Sequence, residues 1–485
     1  MAEYKLDSSV DNNKIFLVNY SELQNRWDPA FNSYIQNLLH NFSCQVVKFK
    51  DLLKVNPQYG ANEAGIERTT EEQAKYVRIT DIDEFGNLIP GLGKTANKIE
   101  SRFLLNENDI LIARSGNTVG KSYIHEKVRE QSLFAGYMIR FVIDTFKAVP
   151  KYIFIYTQTT LYKEWVKNVQ RSSGQPNINA EEYKSLLIPL PNLEIQNQII
   201  QKYEQAYQQK QQKEQKAREL LASIDSYLLD KLGIELPEKD NSLQARIFTT
   251  DFSEVSGSRW DCDYHQTYYK KFETNLFNDK YNITSLKEVI SFLESGSRPK
   301  GGVSSIKEGV FSIGGEHVNS QCQVYEGKPK YIPLEFHKKI LKTETKINDI
   351  ILVKDGATTG KVGLLENIGF VGQNINEHVF LIRTLKEKIN PTYLAFYLYS
   401  SIGQIFLKRE ITGATVTGLT KESVKGIKIP LPPLTPAKAK AGEISQQEIV
   451  EHISAIRAKA KRLQEEAIAD LETTKAEIEK MILGD

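Results

Sequence analysis

The sequence predicts an α+β chain built twice, with two mixed globular blocks separated by two long helices that pair as an antiparallel coiled coil. Three observations predict this. The first is ordered internal repetition. The run Asn108–Lys121 (NDILIARSGNTVGK) returns as Asn348–Lys361 (NDIILVKDGATTGK), a shift of 240 residues, and Ile188–Pro191 returns as Ile429–Pro432, a shift of 241. Arg26-Trp27-Asp28 returns as Arg259-Trp260-Asp261, a shift of 233. Solenoid repeats recur every ~20–50 residues, so this period marks a duplicated domain. The second observation is a pair of Gln-, Lys-, Glu- and Ala-rich segments with a three/four apolar rhythm. The third is that short β-type runs share each block with a Tyr-rich helical stretch, without regular β-α-β alternation.

The elements follow in order. The first block covers residues 1–192 and the second 253–434. Strand-like runs are Tyr76–Ile79, Asp109–Ala113 and Met138–Ile143 in one, and Val310–Ile313, Asp349–Val353 and Val379–Ile382 in the other. Tyr152–Tyr156 and Tyr393–Tyr397 are the amphipathic helical stretches. The first long helix and its turn occupy 193–236, bounded by Pro189 and Pro191 before and by Gly233 and Pro237 after. Its stripe runs through Ile199, Tyr203, Leu220 and Ile224. A polar linker covers 237–252, and the second long helix lies within 435–485, with Ile449, Ile453, Ile456 and Leu463 on its stripe and a register shift toward Leu471, Ile478 and Met481. At ~1.5 Å per residue each helix would be roughly 55 Å long. A stripe of that length is most economically buried by the other helix.

Composition bounds the function. The chain of 485 residues carries a net charge of +2, so a nucleic-acid partner would have to be met by local patches. Cys44, Cys262 and Cys322 lie far apart with no CxxC spacing, which argues against zinc and for a reducing compartment. The N-terminus lacks an apolar targeting stretch and no ~18-residue apolar run occurs, so a cytoplasmic protein that does not engage a membrane is expected.

Gly116–Ser122 imitates a phosphate-binding loop, but only three residues separate its glycines where four are needed, and its repeat continues with Val362 in place of a hydroxyl. A nucleotide-binding enzyme is therefore the disfavoured alternative. No HExxH, no Ser/His/Asp spacing and no GxGxxG after a strand occurs. No catalytic residue, no metal site and no bound cofactor is expected of this chain. A better account of the glycine turn is a strand end that projects Arg114, Ser115, Asn117 and Lys121 in one copy and Lys354, Thr358 and Lys361 in the other. Those side-chain types meet phosphates and base edges, though an ordinary exposed hairpin would look the same.

Between the repeated anchors the copies diverge. Arg171, Ser172, Ser173, Gln175 and Asn177 precede one Pro-rich exit, and Thr412, Thr415 and Thr417 precede the other. Arg78 and Thr80 mark another divergent segment, and Arg298, Lys300 and Asn374 complete the candidates in the second copy. Arg, Gln, Asn and Thr suit hydrogen bonding in the major groove and contact with a thymine methyl. A shared scaffold with different loops suggests that each copy meets a different target.

The order Arg-Trp-Asp, Asn-Asp-Ile strand and Gly-Lys turn, polar loop, Ile-Pro-Leu-Pro and long helix, all repeated once, resembles the specificity (S, HsdS) subunit of type I restriction–modification systems over nearly the whole chain. The resemblance implies two target recognition domains, each reading half of a bipartite site in double-stranded DNA, with the coiled coil as spacer. Helices of this length would hold the domains roughly 50 Å apart, about one to one and a half turns at ~34 Å per turn. It further implies docking of two modification subunits that carry S-adenosylmethionine, and of restriction subunits that use ATP and Mg²⁺. An S subunit of a type IIB-like enzyme, served by one fused nuclease–methyltransferase, would carry the same pattern. A scaffold protein with no DNA role remains the reading from another class. One departure is the second helix's lead-in, Leu434–Gly442, which is longer than Leu193–Gln196. Equal helix register is therefore not assumed.

Overall fold

A computed structural model describes residues 7, 10, 17, 32 and 42–484, apart from 127–130, 171–175, 241, 257–258, 278, 304–305 and 414–417. Arg26-Trp27-Asp28, and the candidates Arg171, Ser172, Ser173, Gln175, Thr415 and Thr417, lie outside the described residues. The chain divides into two compact units, one formed by Met1–Glu214 with Glu465–Asp485 and one by Gln215–Gln464. Each long helix thus contributes one half to each unit.

In the first unit the central strand Ile110–Ala113 is completely buried, as its uninterrupted apolar run requires. It pairs antiparallel with Ser122–Ile124 on one side and Met138–Phe141 on the other, and Gln58–Tyr59 completes the four-stranded sheet. Asn108, at φ 72°, starts the strand from the left-handed region that Asn tolerates. Ile188 and Pro189 lie in the strand Leu187–Leu190, which pairs antiparallel with Gln45–Lys48. The helix Pro150–Tyr156 hangs on that strand: the Tyr152 and Tyr156 hydroxyls donate to the carbonyls of Pro189 at 2.6 Å and Leu187 at 3.0 Å. The tyrosine-rich stretch therefore satisfies strand carbonyls that would otherwise be buried without donors.

The second unit repeats the plan. Ile350–Val353 pairs with Val362–Leu364 and Val379–Thr384, and Ile290–Ser295 forms the far edge. Asn348 has φ 70°. Tyr393 and Tyr397 donate to Pro430 at 2.7 Å and Lys428 at 2.6 Å on the strand Lys428–Leu431. Two further duplicated features carry no obvious sequence signal. Asp109 pairs with Arg140 at 3.4 Å, and Asp349 with Arg383 at 2.8 Å. Gly60 and Gly296 pass so close to the carbonyls of Ala135 and Ile375 that a Cβ would stand 2.3 Å and 1.8 Å from the oxygens. Only glycine permits that approach.

The long helices are Leu193–Leu232 and Gln446–Leu483. Gly233, at φ 70°, closes the first, and a reciprocal Ser445/Glu448 cap opens the second. Within the first unit Lys202 pairs with Glu477 at 2.8 Å and Lys213 with Glu466 at 3.4 Å, so the two helix halves run antiparallel. Ile199, Tyr203, Ala206, Leu471, Ile478 and Ile482 share one core with Trp165. Within the second unit Ile224 and Leu228 share a core with Ile449 and Ile453, and Tyr227 stacks on His452 at 4.0 Å. Leu221 lies further back, beside Arg457 and Gln464, which gives the same antiparallel sense.

Leu220, Ile456 and Leu463, expected on the buried stripe, are only half-buried. Ala217, Ala460 and Ala467, which continue the same stripes in the sequence, are fully buried, at 0%, 1% and 0% exposure. The register question resolves at two glutamines. Gln196 and Gln446 make the same contacts in their units, a shift of 250, whereas the preceding strands are related by 241. The longer lead-in is absorbed by a turn at Pro436–Lys438 and by Gly442, before the helix begins.

Candidate nucleic-acid interface

In each unit the tip of the central hairpin is zipped to the polar loop that precedes the Pro-rich exit. In the first, Gly116 N–H donates to Pro176 at 3.0 Å and Ile178 N–H to Arg114 at 2.9 Å, and Ser115 bridges to Asn177. In the second, Leu419 N–H donates to Lys354 at 2.7 Å, while Gly418 bridges to both Asp355 and Thr412. Segments about 60 residues apart in sequence thereby form one surface. The glycine turn leads into a strand (Ser122–Ile124, Val362–Leu364) and closes a hairpin, with Val119 N–H on Gly116. A nucleotide loop would deliver its amides at a helix N-terminus, so the nucleotide-binding alternative does not fit.

The two surfaces carry different chemistry. The first presents Arg114 with its guanidinium over the Tyr59 ring at 4.9 Å, exposed Asn117 and Asn177, and Tyr137, which is 61% exposed. The second presents Lys354, Asp355 and His378, and the His378 ring lies between the carboxylates of Asp355 and Glu377. Arg298 pairs with Glu377 at 2.6 Å. Exposed Lys361 and Thr412, half-buried Thr358 and exposed Lys300 lie on the same hairpin, loop and Gly-rich segments.

One expected contact is corrected, and two further candidates are engaged within the fold. Asn374 is completely buried: its amide oxygen accepts from Thr343 at 3.0 Å and its amide nitrogen meets His337 at 3.2 Å, so it holds the interior together. Lys121 donates to the carbonyls of Ile79 and Ile82, so its ammonium anchors the hairpin to the short turn Ile79–Asp81. Arg78 forks onto Asp81 at 2.9 Å and 2.6 Å, which neutralises it within the same turn. Thr80 on that turn is exposed. Sequence reasoning missed Tyr59, Tyr137, Asp355, Glu377 and His378. Tyr137 and His378 accept from the equivalent N–H groups of Arg114 and Lys354 at 2.9 Å and 3.0 Å, so the duplication would have paired them. Nothing in the sequence marks the two-residue strand that brings Tyr59 to Arg114.

Burial holds the carboxyls of Asp109 and Asp349 above the ordinary aspartate value, despite the opposing hydrogen bonds and arginines. The Cys322 thiol is pushed up to about 12 by burial. Among the described residues no group of His, Cys, Asp and Glu could hold a metal ion, and no helix is long and apolar enough to cross a membrane.

The chain is thus a duplicated α+β fold with two long helices and a divergent polar surface at each hairpin tip. The profile of the family described as type I restriction modification DNA specificity domain matches residues 43–222 and 278–473. The chain belongs to that family, as a specificity subunit of type I restriction–modification. It is 21% identical over 392 residues to the type I restriction enzyme MjaVIII specificity subunit of Methanocaldococcus jannaschii, covering 78% of this chain and 80% of that protein. Among solved structures, a chain from a study of complex assembly and conformational transition of the type I R-M system is 13% identical, with a TM-score of 0.49, covering 90% of this chain and 97% of its own. The HsdS subunit from Thermoanaerobacter tengcongensis is 16% identical, with a TM-score of 0.36, covering 91% and 97%.

Proposed function

We propose that the chain supplies the DNA sequence specificity of its complex, with the hairpin-tip surface of each unit meeting one half of a bipartite duplex site through the major groove. The observation that carries this reading is the pair of zipped surfaces: one scaffold geometry occurs twice, with Arg114, Asn117, Asn177 and Tyr137 on one and Lys354, Asp355, His378 and Thr412 on the other. Identical binding would need no such difference. Different hydrogen-bonding side chains on one scaffold suit an asymmetric target.

On this reading the long helices set the spacing of the half-sites and dock two modification subunits, which hold S-adenosylmethionine. Restriction subunits with ATP and Mg²⁺ join through the assembled complex, and the chain works in the cytoplasm. It performs no chemistry itself. The test is direct sequencing of modified bases in DNA from cells that express a cognate modification subunit, with and without this chain. Sequence-specific adenine methylation that requires the chain is expected. Equal methylation without it would overturn the proposal.

A further inference from the structure

Arg114 differs from every other partly or fully buried arginine among the described residues. Arg68, Arg78, Arg140, Arg259, Arg383, Arg409 and Arg457 each direct the guanidinium to a carboxylate or to backbone carbonyls. Arg114 has no acceptor among the described residues, and its Nε is buried without a hydrogen bond. A guanidinium stays charged at any physiological pH and carries five donors. Leaving it half-desolvated and unpaired is costly unless something else supplies acceptors.

Its position is also fixed. The backbone on both sides is pinned by the bonds to Tyr137 and from Ile178, directly after the fully buried strand Ile110–Ala113. The guanidinium lies over Tyr59 at 4.9 Å, and the Tyr59 hydroxyl accepts from the Ala180 N–H at 3.1 Å, which restrains the ring. A restrained ring beneath the guanidinium limits where the donor fork can swing. The corresponding residue of the second unit, Lys354, is a point charge near Asp355 at 3.7 Å and cannot form a planar fork.

We propose that Arg114 makes a bidentate contact with the O6 and N7 acceptors of a guanine in the half-site met by the first unit, with Tyr59 as the stacking residue that orients it. This rests on the DNA-reading function proposed above and specifies its ligand. A planar, oriented fork matches the guanine edge. A phosphate would be served as well by a flexible charge.

The test uses the full chain with its modification subunit. Direct sequencing of modified bases defines the wild-type site, which is expected to contain an invariant guanine, and Arg114→Lys is expected to relax selection there alone by roughly 5- to 100-fold. Tyr59→Ala should relax the same position. Uniformly weaker methylation at an unchanged site would mean a phosphate contact and overturn the inference, as would a wild-type site with no invariant guanine. Should Arg114→Lys fail to fold, wild-type protein on a duplex with 7-deazaguanine at that position decides the matter: removing N7 should lower methylation there, and full methylation would overturn the contact. A wild-type chain that confers no sequence-specific methylation would instead overturn the proposed function.

Discussion

Gln446 donates through Nε2 to the carbonyl of Pro432 at 2.8 Å, while its Oε1 accepts the N–H of Asn390 at 2.8 Å. Gln196 repeats this with Pro191 at 2.8 Å and Val149 at 3.1 Å. Both side chains are buried, at 0% and 2% exposure. Each latches the first turn of a long helix to the strand before it and to the start of the tyrosine-bearing helix. The latch fixes how each half-helix meets the α+β fold of its own unit.

Gln446→Leu keeps the volume and leaves the Asn390 N–H and the Pro432 carbonyl buried without partners. The expected loss is about 2–4 kcal/mol in urea unfolding, where an exposed Gln447→Leu should change little. An unchanged midpoint for Gln446→Leu would show that the latch is not structural.

Arg259, in the repeated Arg-Trp-Asp motif, donates to the carbonyls of Arg409 at 3.0 Å and Ile411 at 3.2 Å and is held by Asp261 at 2.7 Å. Those carbonyls end the helix Ser401–Glu410, at the root of the Thr412 loop. Arg259→Ala should cost about 1–2 kcal/mol. The Thr412 amide, bonded to Gly418, should then exchange faster in hydrogen–deuterium measurements, while amides of Ile110–Ala113 keep their protection.

Cys322 is fully buried, with its thiol held at about 12 against an ordinary 9.0, whereas Cys262 is exposed. At pH 8 a thiol reagent should modify Cys262 promptly and Cys322 only after unfolding. Because the folded thiol binds its proton more tightly than the unfolded one, the Cys322 contribution to stability is complete below about 9 and falls as pH rises from there toward about 12. Cys322→Ala should remove that part of the alkaline slope.

Asp349 has its folded value raised by burial, although Arg383 lies at 2.8 Å. A raised carboxyl binds protons more readily when folded, so its contribution is fully present below the unfolded value near ~3.9 and declines as pH rises through the folded value. The difference in unfolding free energy between wild type and Asp349→Asn should therefore shrink as pH rises through that window. A difference that grew with pH would contradict the assignment of burial as the dominant cause.

Much of the architecture was legible because it depends on local pattern. Ile110–Ala113 and Ile350–Val353 announce buried strands by continuous apolar runs, Gly233 and the prolines bound the helices, and the duplicated order exposes two units. The candidate surface was legible only in part. Arg114, Ser115, Asn117, Asn177, Lys354 and Thr412 lie on the zipped hairpin and loop. Asn374 is buried, and Lys121 and Arg78 are engaged within the fold, because a polar side chain turns to whatever partners the fold brings near: Thr343 and His337, the Ile79 and Ile82 carbonyls, and Asp81.

The sequence by itself determined the duplication, the long helices, the central strands and the absence of a recognisable catalytic pattern, since periodicity, breakers and motif spacing are properties of neighbouring residues. The tertiary structure alone decided which polar residues remain available. Tyr59 comes to Arg114 across 55 residues of chain, and His378 comes to Asp355 between strands. The charge and hydrogen-bonding character of each surface depends on which partners packing brings near and which it leaves unmet, and no local pattern encodes that.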